Sequence, residues 1–221
     1  MDYILLILGT LITLAAQAFV SLSYKKYKGI SNEAHIKGAD MARYILDKHG
    51  MHNVKVECVS GYLSDHYDPS TKVVRLSTEI YEGTSIASIS VAAHECGHAI
   101  QDDTGFIMMK IRSLLVPIVN LASYLGYFAI VIGLLASLTK LIWVGIYAEL
   151  AIVLFQLVTL PVEIDASRRG LKELNNHNSI RPSEYSGALI MLIAAASTYV
   201  ASVATALLQV LRLLLLVRNR D

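Results

Sequence analysis

His94-Glu95-Cys96-Gly97-His98, embedded in Ser90-Val91-Ala92-Ala93 on one side and Ala99-Ile100-Gln101 on the other, is the stretch that decides how this chain is read. Residues four apart on a helix share a face, so His94 and His98 present two imidazoles to one point, at a spacing suited to a single Zn2+. Glu95 stands where a carboxylate can take a proton from water held at such a metal. The small and apolar flanks predict a helix packed closely against its neighbours, starting near Gly83-Thr84-Ser85 and stopping at Asp102-Asp103-Thr104-Gly105. Cys96 lies two residues from each histidine, so it points to another face and reads as a small buried thiol.

A hydrolytic zinc site needs a third protein ligand and an open fourth position. Two long apolar runs separate His98 from Leu160-Pro161-Val162-Glu163-Ile164-Asp165-Ala166-Ser167-Arg168-Arg169. Two membrane crossings are an even number, so Glu163 returns to the side that carries the histidines and is the expected third ligand. Asp165 points elsewhere. It either orients a ligand histidine through the free ring nitrogen or pairs with Arg168 or Arg169.

The chain has 221 residues, 54% of them hydrophobic and 17% charged, with a mean hydropathy of +0.50, which is too apolar for an average soluble domain. Four segments are long enough to cross a bilayer: Tyr3 to Tyr24, Leu114 to Leu138, Leu141 to Val162 and Gly187 to Val217. Ala16-Gln17-Ala18 resembles a signal-peptide cleavage site, but Asp2 precedes the apolar stretch without any Lys or Arg, and the stretch is long; a retained anchor is expected.

Basic residues set the orientation. Lys25, Lys26, Lys28, Lys110, Arg112, Arg168, Arg169, Lys172 and Arg181 share the side of the histidines, whereas Lys140, Arg218 and Arg220 lie opposite, with Arg212 near enough to a helix end to snorkel there. The site is therefore expected to face the cytoplasm, with both termini outside. Cys58 and Cys96 on that reducing side are expected to be free thiols, and a net charge of +1 gives no hint of nucleic acid as a partner.

Between the first span and the histidine helix lies a stretch with the look of a soluble module. Ser31-Asn32-Glu33 is expected to cap a helix reaching Lys48, with Gly50 ending it. Two β-like runs, Val54 to Val59 and Lys72 to Ser77, are joined by a connection from Gly61 to Ser70 that is rich in polar and aromatic groups for a plain hairpin loop. If Lys72 to Ser77 is an edge strand, it can pair with an extended peptide and present it to the metal. His66 and Tyr67 in the connection read equally as a solvated turn or as parts of the site.

Three parts carry a resemblance: Leu63-Ser64-Asp65-His66-Tyr67-Asp68-Pro69, the run from Ala92 to Gln101, and Leu160-Pro161-Val162-Glu163. With the four-span layout they resemble the bacterial membrane-bound neutral zinc metallopeptidases of the YugP type, over nearly the whole chain. The resemblance implies His94 and His98 as zinc ligands, Glu95 as catalytic base, and a zinc-dependent peptidase of the plasma membrane. A looser similarity runs to membrane peptidases in which HExxH is followed by a downstream glutamate and, four residues after it, an aspartate; Ser167 occupies that place here.

The expected fold is thus mainly α: a polytopic membrane protein with about four transmembrane helices and a small α+β, zincin-like cytoplasmic module carrying HExxH. The segments are an anchor (1–24), the module (25–113), a transmembrane hairpin (114–162), a cytoplasmic segment with the third ligand (163–186) and a final transmembrane helix (187–221). The expected activity is metal-assisted hydrolysis of peptide or membrane-protein substrates, with Glu95 moving the proton from water to the leaving amine and His66, Tyr67 or Arg169 polarising the scissile carbonyl. Rival readings are an intramembrane, site-2-type zinc protease, a zinc-binding membrane protein without catalysis, and a transporter. The hydroxyl-rich Thr84 to Asp103 stretch argues against the first, the intact Glu95 against the second, and the single deep acid, Glu149, against the third.

Overall fold

The computed structural model describes residues 2–176 and 180–218. Arg220, and the parts of segments 163–186 and 187–221 formed by 177–179 and 219–221, lie outside the described residues. The elements are α1 (Asp2–Lys28), α2 (Gly38–Lys48), β1 (Lys55–Val59), β2 (His66–Asp68), β3 (Val73–Ser77), α3 (Thr78–Glu82), α4 (Ile86–Asp103), α5 (Ile107–Leu135), α6 (Thr139–Asn176) and α7 (Pro182–Arg218). The described residues are mainly helical, at 77%. Among the described residues, α1, α5, α6 and α7 are long and apolar enough to cross a membrane. The helix of His94 is not one of these four.

The chain divides into two compact units. One comprises Met1–Gln17, Ile107–Pro161 and Ser197–Asp221. Here α5 and α6 touch through small residues: a Cβ on Gly126 would meet the Ala148 methyl at 2.5 Å, and one on Gly145 the Ile130 side chain at 2.2 Å. Helices that share an apolar solvent gain little from hydrophobic burial, so close approach at glycine supplies the packing. Ile142, Ile146, Leu213 and Val217 form a buried cluster between α6 and α7.

The other unit comprises Ala18–Phe106 and Val162–Ala196. Its core is α2 laid against α4, with Met41, Ala42, Ile45 and Leu46 fully buried. Helix α4 begins and ends where expected: Ser85 caps it, accepting a bond from the Ser88 N–H, and Gly105 follows it at φ +68°. Helix α2 does not begin at Ser31-Asn32-Glu33. The Asn32 Oδ1 accepts the Ile36 N–H, and its amide donates to the Ile36 and Thr84 carbonyls. That tie holds an extended loop to the start of α4, and the helix starts only at Gly38.

The sheet corrects two expectations. The runs at 55–59 and 73–77 are not a hairpin: β1 pairs with β3 in parallel, and the connection between them supplies a third strand, β2, antiparallel to β3. The order is β1-β3-β2, so Lys72 to Ser77 forms the central strand and cannot be the edge that presents a peptide. Val73, Val74, Leu76 and Ser77 are buried, as a strand covered on both faces requires. The turn chemistry that creates β2 lies in two aspartates. Asp65 accepts the Ser77 backbone N–H at 2.7 Å, and Asp68 accepts from the Ser70 and Thr71 N–H groups, both their hydroxyls and Arg75.

Candidate metal centre and active site

Helix α6 runs unbroken through Pro161 to Asn176, so Glu163, Ala166, Ser167 and Gly170 fall on one stripe at i, i+3, i+4 and i+7. That stripe meets α4 backbone to backbone. A Cβ on Gly97 would lie 2.3 Å from the Ala166 carbonyl oxygen, and one on Gly170 would lie 2.6 Å from that of Ala93. A crossing this tight excludes any side chain at the contact, and it delivers Glu163 to the two histidines.

Glu163 Oε2 lies 3.4 Å from His94 Nε2 and 3.5 Å from His98 Nε2. The imidazoles stand edge to face, 4.8 Å between centroids. The three ligating atoms lie within 4.8 Å of one another. Tetrahedral donors held about 2.1 Å from zinc stand about 3.4 Å apart, so the donor set and the two glutamate-to-histidine distances fit Zn2+.

The ring nitrogens on the far side are held as well. His98 Nδ1 lies 3.0 Å from Gln101 Oε1, while the Gln101 amide nitrogen donates to the Val162 carbonyl at 2.7 Å and to Asp165 Oδ2 at 2.9 Å. Both of those partners only accept, which fixes the amide's orientation and leaves its oxygen facing His98. The amide oxygen thus asks His98 Nδ1 to be the donor, the tautomer in which Nε2 would serve a metal. His94 Nδ1 lies 3.2 Å from Ser167 Oγ. Ser167, four residues after Glu163, thus stands against the outer nitrogen of a histidine. Asp165 reaches His98 only through Gln101 and also pairs with Arg169 Nε at 2.6 Å. The fully buried Gln101 was missed in the sequence, though its position three residues after His98, on the same face, was the available signal.

Glu95 is 7% exposed. Burial pushes its pKa up to about 7, against the pull of His94 and with a further rise from the Glu163 and Asp65 carboxylates. Strand β2 packs against α4. The remaining predicted residues are engaged as follows. The His66 side chain is exposed, with Nδ1 2.8 Å from the Ser64 carbonyl oxygen. The Tyr67 hydroxyl donates to Asp102 at 2.7 Å, and burial together with that bond raises its pKa. The Arg169 guanidinium lies over Phe106. Cys96 is buried, with Sγ 3.5 Å from the Ala42 carbonyl oxygen, and Cys58 is exposed; both are free thiols.

With this geometry in view, comparison with known proteins is specific. The family described as "Putative neutral zinc metallopeptidase" matches residues 2–218. The chain is 41% identical over 204 residues to "Putative membrane protease YugP" of Bacillus subtilis (strain 168), covering 92% of this chain and 91% of the relative. No solved structure matches. The tight α4–α6 crossing, the two histidines and Glu163 thus sit in a multi-pass membrane protein that belongs to the family described as putative neutral zinc metallopeptidases.

Proposed function

We propose that this protein is a zinc-dependent peptidase that hydrolyses peptide bonds of protein or peptide substrates at the cytoplasmic face of the plasma membrane, through an HExxH helix and a downstream glutamate in the gluzincin manner. The observation that carries the reading is the convergence of His94 Nε2 and His98 Nε2 on one oxygen of Glu163, with the opposite ring nitrogens occupied by Ser167 and Gln101. His94, His98 and Glu163 would hold the ion. Bound zinc supplies Lewis acidity, lowering the pKa of water toward about 7 and polarising a carbonyl.

The chain's own residues supply the proton handling and the docking. Glu95, buried beside His94 and Glu163, is placed to take a proton and return it to the leaving amine. Strand β2 is an outer strand packed against the histidine helix, and an extended peptide pairing with it would take the role that the central position of β3 denies to Lys72–Ser77. Arg169 and His66 remain the candidates for polarising the carbonyl from a side chain.

The test is the metal content and peptidase activity of the detergent-purified protein. Wild type should hold zinc and cleave. Glu95→Gln should hold zinc and lose roughly a hundredfold or more in kcat. Glu163→Ala should lose the metal. A zinc-free wild type, or undiminished cleavage by Glu95→Gln, overturns the proposal.

A further inference from the structure

Within the unit of Met1–Gln17, Ile107–Pro161 and Ser197–Asp221, helices α1, α6 and α7 line an open cavity of about 610 Å3. That volume lies in the range of small-molecule sites, roughly 300 to 1,000 Å3. Its walls are of two kinds. Leu5, Leu14, Ile152 and Leu208 are apolar, while Gln156, Gln209 and Arg212 bring amides and one guanidinium. The lining contains no acid.

Arg212 is the unusual member. It stands six residues before the end of α7 at Arg218, about 9 Å along the axis, inside a helix apolar enough to cross a membrane. Its NH1 donates to Gln209 Oε1 at 3.2 Å, and its Nε is buried without a hydrogen-bond partner among the described residues. Glu149, an acid in the same unit, does not line the cavity. The hydroxyls of Thr10, Thr13, Ser202 and Thr205 donate to carbonyls of their own helices, so they offer no proton to a neighbour. A cation inside so apolar a helix, with its Nε buried and unpartnered, calls for an anion.

We propose that this cavity is a binding site for an anionic phospholipid, its phosphate on the Arg212 guanidinium and an acyl chain along Leu5, Leu14 and Leu208. A free anion would satisfy Arg212 and leave the apolar wall bare. A transmembrane segment of a substrate, its backbone already hydrogen-bonded, has no need of the cation. A lipid with a negative head satisfies both halves, and the bilayer supplies it at high local concentration.

The full chain, purified in a zwitterionic detergent, is incubated with phosphatidylglycerol, with phosphatidylcholine of the same chains, or with inorganic phosphate, and retained ligand is read by native mass spectrometry. Wild type should retain phosphatidylglycerol at least about tenfold over phosphatidylcholine, and phosphate should not displace it. Arg212→Met should abolish the preference, and Arg212→Lys should keep part of it. Ala206→Phe, which fills the cavity and keeps the charge, should lower retention of both lipids, so the test survives even if Arg212→Met fails to fold. Equal retention of the two lipids, an unchanged preference in Arg212→Met, displacement by phosphate, or a peptide segment found in place of lipid would each overturn the proposal.

Discussion

Gly97 stands so close to Ala166 that a Cβ on the glycine would lie 2.3 Å from the alanine's carbonyl oxygen. Gly97→Ala should push α4 off α6, carrying His94 and His98 away from Glu163, at a cost of about 1–3 kcal/mol in stability. Zinc occupancy should fall with the melting midpoint. Elemental analysis showing full zinc in a normally stable Gly97→Ala protein would contradict the crossing as described.

Gln101 holds His98, Val162 and Asp165 together by three bonds. Gln101→Leu removes all three while keeping an apolar volume, and the zinc dissociation constant measured by chelator competition should rise roughly 10- to 100-fold. Ser167→Ala, which loses one longer contact to His94, should weaken zinc less. Unaltered affinity in Gln101→Leu would mean that His98 is held by its helix alone.

The Tyr67 hydroxyl donates to Asp102 at 2.7 Å and ties β2 to the end of α4. Tyr67→Phe, which loses that bond and keeps the ring, should cost about 1–3 kcal/mol in stability, read as a lower melting midpoint. Zinc content should stay unchanged. An unaltered midpoint would show that the bond does not hold β2 to α4.

In the zinc-free protein, burial raises the Glu95 pKa from 4.5 to about 7. The folded chain keeps a proton there that the unfolded chain releases, so the site's contribution is full below pH 4.5 and is lost as pH rises toward 7, on the order of 3 kcal/mol. Glu95→Gln lacks this dependence. The melting midpoint of the zinc-free wild type should therefore fall relative to Glu95→Gln over that window. A constant gap between them would show Glu95 to be solvated.

The basic residues at 25–28, 110–112 and 168–181 predict which side the site faces. In intact cells an impermeant thiol reagent should spare the exposed Cys58 and a cysteine placed at Lys172, and should label one placed at Lys140. The reverse pattern would put the site outside.

Periodicity and hydropathy were legible along the chain because they depend only on neighbours in sequence. The i, i+4 histidines, the bounds of α4 at Ser85 and Gly105, and the four long apolar helices all follow from that local information. Glu163 was legible too, as a carboxylate returning to the right side after two crossings. The strand order was not. Two β-like runs look like a hairpin until Asp65 and Asp68 fold the connection into β2, which takes the edge and drives β3 to the centre.

Tertiary structure alone decided which partners the outer nitrogens of the histidines find. Gln101 joins residues more than sixty positions apart, and Ser167 reaches back seventy-three to His94. No local pattern encodes such pairings. They exist because Gly97 and Gly170 let two backbones touch, and the crossing point of two helices is set by where neither carries a side chain.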